Sequence, residues 1–265
     1  MELYQTVLDH LDSLMKSFPK RKAFPWDENQ CWPETERFEL VMGRDAAYEL
    51  GSSQKGAANY TCVTTGNGFW EHSGTIVIGP DLNEITTDTS YARLVILNLA
   101  SDLLGDTSSH QGSEQAFRIL QKLDFIKYHV FAKGFMIRTS SENFREQVRV
   151  SKEALRQGIT FEKVGNAFLR HYLEVDGVKA ATIVFLTDPS VDYGVLLADA
   201  KKAHEIMLTL SRILEGMPTD CSMCHFKPVC DEVDGMRELH FGKQVNRSSI
   251  KTSSRAKTNN AETGE

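Results

Sequence analysis

The sequence contains no apolar run long enough to cross a bilayer. Stretches such as AATIVFL at 180–186 fall far short of the roughly 20 residues a spanning helix needs. Its opening, MELYQTVLDHLDSLMKSF, lacks a basic head followed by an apolar core and so does not read as a secretory signal. The expectation is a soluble, cytoplasmic protein with no membrane contact. Positive charge is not in surplus either: 30 Lys and Arg against 36 Asp and Glu leave a net charge of −6. That balance argues against nucleic acid as the main partner, because phosphate binding needs a basic face. HExxH, GxGxxG and the Walker phosphate loop are absent, so neither a zinc-protease helix nor nucleotide binding has positive support. There is no internal repeat.

What is present is an ordinary globular composition, 41% hydrophobic and 25% charged over 265 residues, enough for one large domain or two small ones. Leu3, Val7, Leu11 and Leu14 give a helical stripe in residues 2–17. The Pro- and Trp-rich stretch after it reads as a surface connection holding Cys31. FELVMG from Phe38 alternates like a short strand. NYTCVTT, which contains Cys62, is β-prone, GTIVIGPDL reads as a strand closed by Gly79 and Pro80, and RLVILNLAS is continuous enough for a buried strand. Residues 113–130, KEALRQG and FEKVGNAFLRHYLEV have helical spacing, and QVRVS reads as a strand between them. AATIVFLTDP is the clearest strand, with Asp188–Pro189 as the expected helix start. Leu196, Ala200, Ala203, Met207, Leu210 and Leu214 then share one helical face. Irregular alternation of strands and helices predicts an α/β or α+β class: a mixed sheet packed by amphipathic helices, followed by a C-terminal cysteine-rich metal-binding loop.

That loop is the most informative feature. Of five cysteines, Cys221, Cys224 and Cys230 fall within ten residues, in DCSMCHFKPVCDE. A CxxC turn can aim both sulfurs at one metal, and Pro228 can bend the chain so that Cys230 returns as a third ligand. In a reducing compartment such clustering points to metal or redox chemistry. Iron–sulfur clusters favour thiolates in short irregular loops with the remaining ligand distant. Cys62 and Cys31 are candidates for that fourth position, and Cys62 is preferred because a strand end is easily fixed near a site. Zinc is the alternative metal, with His225 or His240 completing the set. Iron–sulfur nucleases use a similar loop, but their acid-x-Lys pattern occurs here only as Asp199 and Lys201, inside a helical segment.

In segment order the chain resembles the beta subunit of carbon monoxide dehydrogenase/acetyl-CoA synthase. The resemblance runs from FELV and IVIGPDL, through RVSKEALRQGITFEKVGNAFL and KAATIVFLTDPSVDYGVLLADAKKAHE, to CSMCHFKPVC, covering roughly residues 36–232. It implies that the loop cysteines hold a 4Fe–4S cluster, with Cys221 and Cys230 as cluster ligands and Cys224 bridging to nickel. The gap before Cys230 is shorter than in the family, and no cysteine follows Cys230. A downstream Cys-Gly-Cys for the distal nickel is therefore missing.

The resulting expectation is a shortened, divergent member of that family. It has an N-terminal helix and connection over 1–35, an acetyl-CoA-synthase-like domain with the cysteine cluster over 36–242, and a disordered polar tail over 243–265. As an enzyme subunit it would serve acetyl transfer of the CO-methylating type in anaerobic C1 or acyl metabolism, with a protein partner subunit supplying the missing chemistry. The alternative is a non-catalytic iron–sulfur or zinc protein for electron transfer, redox sensing or metallocentre assembly.

Overall fold

Two strongly apolar segments make the centre of the protein. YARLVILNL forms β5 (Tyr91–Leu99), buried at every position, and VKAATIVFL forms β8 (Val178–Leu186), buried from Ala180 onward. They pair antiparallel, Leu94 opposite Val184. On one side β8 pairs parallel with β4 (Gly74–Ile78), which pairs antiparallel with β1 (Arg21–Pro25); on the other, β5 pairs parallel with β3 (Ala57–Thr64). The order β1-β4-β8-β5-β3 is a mixed five-stranded sheet. A second, antiparallel sheet has the order β2 (Ala46–Leu50), β7 (Arg145–Ser151), β6 (Phe135–Ser140), and β7 lies against β3 and β5. The computed structural model describes residues 4–18, 20–66, 70–103, 110–140 and 142–215.

Helices cover the large sheet. α4 (Phe161–Leu173) packs on β4 and β8, and α5 (Tyr193–Glu215) runs over β3. α1 (Gln5–Ser17) lies against α5 and β3, and α2 (His110–His129) joins α5 and α4. Local chemistry sets the ends. The Ser151 hydroxyl accepts from the Ala154 amide at 3.0 Å to start the short α3 (Lys152–Arg156), and Thr160 caps α4 in the same way. Gly165, inside α4, lets helix and sheet approach closely: a Cβ there would sit 2.1 Å from Thr75 Oγ1 on β4.

The mixed α/β class and the helix-covered sheet are therefore as expected, and three local readings are corrected. FELVMG (38–43) is not a strand: Val41 is buried, but its amide bonds to Met136 Sδ at 3.2 Å, and Phe38, Leu40 and Met42 face solvent. Alternation alone does not make a strand without a paired edge. The stretch read as connection carries β1, a five-residue edge strand too short and too charged to announce itself. The last helix starts at Tyr193, not at Asp188–Pro189. Asp188 closes a turn onto Ser190, whereas Asp192 accepts from the amides of Gly194 (2.9 Å) and Val195 (3.4 Å). No helix among the described residues is long and apolar enough to cross a membrane.

Candidate functional site

Of the residues expected to bind metal, Cys221, Cys224 and Cys230 lie outside the described residues, as do His225, His240 and the 243–265 tail. α5 leads directly into that segment. Among the described residues there is no group of three or more His, Cys, Asp or Glu side chains able to hold a metal. Cys31 is half-buried beside Glu34 and Arg170, and burial pushes its thiol up.

Cys62 sits on β3, fully buried, with its thiol donating to the Val95 carbonyl at 3.7 Å. Burial, reinforced by the charge of Asp199 on α5, raises its pKa far above the ordinary thiol range. In the described structure Cys62 is thus a neutral, packed thiol, and a metal there would have to displace its proton. A helical rise of about 1.5 Å per residue places Glu215 about 24 Å beyond Asp199 along α5. A site shared by Cys62 and the C-terminal cysteines therefore requires the chain after α5 to turn back toward the sheet.

Asp199 has its own partner. His10 Nδ1 lies 2.8 Å from Asp199 Oδ1, tying α1 to α5, and Asp199 Oδ2 is buried without a hydrogen bond among the described residues. Burial outweighs the His10 contact and holds the Asp199 carboxyl above the usual range. This placement removes Asp199–x–Lys201 from any strand-borne magnesium site.

The strongest polar constellation is one that the sequence reading missed. Arg93 on β5 and Glu146 on β7 form a fully buried ion pair joining the two sheets, with Arg93 Nε to Oε1 at 2.8 Å and Nη2 to Oε2 at 2.7 Å. Arg93 Nη2 also donates to the Lys127 carbonyl at 2.9 Å, and the guanidinium lies 4.2 Å over the Phe168 ring. Asn59 Nδ2 and Thr139 Oγ1 donate to Glu146 Oε2. Burial by itself would lower the arginine pKa; the charge and hydrogen bonds of Glu146 outweigh it and hold Arg93 cationic. The signals were an arginine inside a strand run whose other strongly polar residue is Asn98, and a glutamate at an inward position of the alternating β7.

Beside this pair, along the outer edge of β3, lies a cavity of about 110 Å³ lined in part by Asn59, Tyr60, Lys127, Phe144, His204 and Met207. Asn59 Oδ1 and the Tyr60 hydroxyl are buried without partners among the described residues. Phe144 takes the left-handed φ of +52°, which presents its carbonyl to the Asn59 amide at 3.0 Å. Lys127 is held by Asp124 at 2.6 Å, so the charges in the recess balance. Such a recess suits a small, neutral, hydrogen-bonding guest, water included.

No protein-family model matches this chain, and no curated protein matches it.

Proposed function

We propose that the protein is an acetyl-CoA-synthase-like iron–sulfur protein, a subunit or accessory protein of carbon monoxide dehydrogenase/acetyl-CoA-synthase-type C1 or acyl metabolism. Cys221, Cys224 and Cys230 are its ligands for a 4Fe–4S cluster. The observation carrying the proposal is the CxxC-x5-C loop, placed directly after the segment order resembling that family. Three of the quoted segments fall on elements of the described fold, in chain order but with β5, α2 and β6 between the first and the second; FELV lies on no strand, and CSMCHFKPVC lies outside the described residues. IVIGPDL covers β4 and its turn, RVSKEALRQGITFEKVGNAFL covers the end of β7 through α4, and KAATIVFLTDPSVDYGVLLADAKKAHE covers β8 and most of α5. When bound, such a cluster supplies electron transfer, or a platform for a neighbouring nickel. The chain's own part is to hold the loop at the end of a helix anchored on the sheet.

One observation favours the second reading, a non-catalytic iron–sulfur or zinc protein acting in electron transfer, redox sensing or metallocentre assembly. Residues 231–265 hold no cysteine, so that stretch supplies no thiolates for a distal nickel site. On the first reading a partner subunit completes the chemistry, in the cytoplasm and without nucleic acid.

Cysteine variants purified without oxygen test the assignment. Cys224→Ala should lose bound iron and sulfide while keeping the far-ultraviolet circular dichroism of the parent; unchanged metal content would remove Cys224 from the ligand set. Cys62→Ser tests the fourth position. Loss of iron there, with the fold intact, assigns Cys62 to the cluster, and full retention places the fourth ligand elsewhere.

A further inference from the structure

The outer edge of β3 is covered by helices without being paired. Its inner edge meets β5, and just before the strand the Gly56 carbonyl accepts from the Tyr91 amide on that inner side. Successive residues of an extended chain turn their backbone groups to opposite edges, so those of Asn59 and Thr61 face outward. The Asn59 amide finds the Phe144 carbonyl at 3.0 Å, away from β5. The amide and carbonyl of Thr61 make no hydrogen bond among the described residues. Both residues line the cavity of about 110 Å³ beside the Arg93–Glu146 pair, whose apolar wall includes Leu120 and Leu123 of α2 and Ala203 and Met207 of α5. A covered strand edge needs polar partners as much as an interior one does.

The groups left over define the guest. Asn59 is 4% exposed, and its Nδ2 is committed to Glu146, so its unpartnered Oδ1 can only accept. Thr61 adds one backbone acceptor and one backbone donor. Two acceptors and one donor on an apolar wall call for a molecule with two N–H donors, one carbonyl and a small apolar remainder, which is a primary carboxamide. A ketone or ester would leave both acceptors unmet. A charged guest gains little, because Lys127 is already neutralised by Asp124 at 2.6 Å. Size sets the rest: an apolar cavity of about 150 Å³ takes benzene, so this one takes about four or five non-hydrogen atoms.

We propose that this cavity is a binding site for a small, neutral primary carboxamide, held by Asn59 Oδ1 and the outward backbone groups of Thr61 between α2 and α5. Its carbonyl accepts from the Thr61 amide, and its two N–H groups donate to the Thr61 carbonyl and to Asn59 Oδ1.

Proton–nitrogen correlation spectra of the full-length, anaerobically purified protein, titrated with acetamide and separately with acetone, test this. The two probes have the same number of non-hydrogen atoms and nearly the same shape, but only acetamide can donate hydrogen bonds. Acetamide should shift the Thr61 backbone and Asn59 side-chain amides saturably, with a Kd in the millimolar range expected of so small a ligand. Acetone should bind at least about tenfold more weakly, because both acceptors stay unmet. Ala203→Leu, which fills the cavity from α5, should abolish the acetamide shifts while the rest of the spectrum stays like the parent's. If that variant were to misfold, the comparison of the two probes on the parent still decides. Acetone binding as tightly as acetamide, a folded Ala203→Leu that binds acetamide like the parent, or no saturable shift at Thr61, the behaviour of a cavity holding ordered water only, would each overturn the proposal.

Discussion

Replacing Glu146 with leucine isolates the contribution of the buried pair that joins the two sheets. The substitution removes the acceptor of Arg93 Nε and Nη2, of Asn59 Nδ2 and of Thr139 Oγ1. It leaves a guanidinium charge with no solvent contact, on a group whose Nη1 already lacks a partner among the described residues. Stranding one member of a buried ion pair costs about 3–5 kcal/mol, a large share of the roughly 5–15 kcal/mol that holds a domain folded. Urea unfolding followed by far-ultraviolet circular dichroism should therefore show a midpoint far below the parent, with folding at ambient temperature barely retained. Arg93→Met alone should behave similarly, because it strands the carboxylate. The double variant Arg93→Met/Glu146→Leu should recover most of the loss, since two apolar side chains of similar volume replace the pair. It should remain somewhat less stable than the parent, because the Asn59 amide loses its acceptor and the Lys127 carbonyl a donor, while the part-buried Thr139 hydroxyl can turn to water. Single variants within about 1 kcal/mol of the parent, below what an unpaired buried charge allows, or a double variant whose loss equals the sum of the singles, would refute the account of the pair as one coupled unit.

Two further outcomes follow from named contacts. Gly165→Ala forces a methyl group onto the buried Thr75 side chain, at a cost of about 1–3 kcal/mol for overpacking against about 1 kcal/mol gained in helix propensity; thermal melting should show a lower Tm, and an unchanged or raised Tm would mean that α4 and β4 can separate freely. Glu34 receives His171 Nε2 at 2.7 Å, and Arg170 bonds its other oxygen. Burial alone would raise the Glu34 carboxyl, but His171 and Arg170 together lower it, while the hydrogen bond to Glu34 raises the His171 imidazole. The His171 contribution is thus fully present below the ordinary imidazole value of about 6.5 and is lost as pH rises through the higher folded value; the Glu34 contribution is lost as pH falls below the ordinary carboxylate range. His171→Gln should flatten the decline of Tm on the alkaline side of pH 6.5 specifically. An identical pH profile in the variant would show that the pair is thermodynamically silent.

The sequence pattern located the centre of the fold well, because β5, β8, α4 and α5 bury enough apolar surface for periodicity to dominate. It misjudged elements whose state depends on tertiary partners. β1 is short and charged on an outer edge; Phe38–Met42 alternates like a strand yet lacks one to pair with; and Asp188 and Asp192 offer the same cap chemistry, so that only the packing of Tyr193, whose hydroxyl lies 3.3 Å from the Leu186 carbonyl, selects the second. The metal-binding proposal was legible from cysteine spacing alone. The Arg93–Glu146 pair was not, because its members stand 53 residues apart and spacing carries no information about which buried charges meet across two sheets.

The central claim is that Cys221, Cys224 and Cys230 hold an iron–sulfur cluster. Anaerobic purification followed by analysis of iron, acid-labile sulfide, nickel and zinc tests it most directly. The expected result is about four iron and four sulfide per chain, as a 4Fe–4S cluster requires; nickel alongside them would favour the acetyl-CoA-synthase-like enzyme, and iron alone the electron-transfer or assembly role. Zinc at about one per chain with no sulfide, the signature of a structural thiolate site, would contradict the iron–sulfur assignment under both readings.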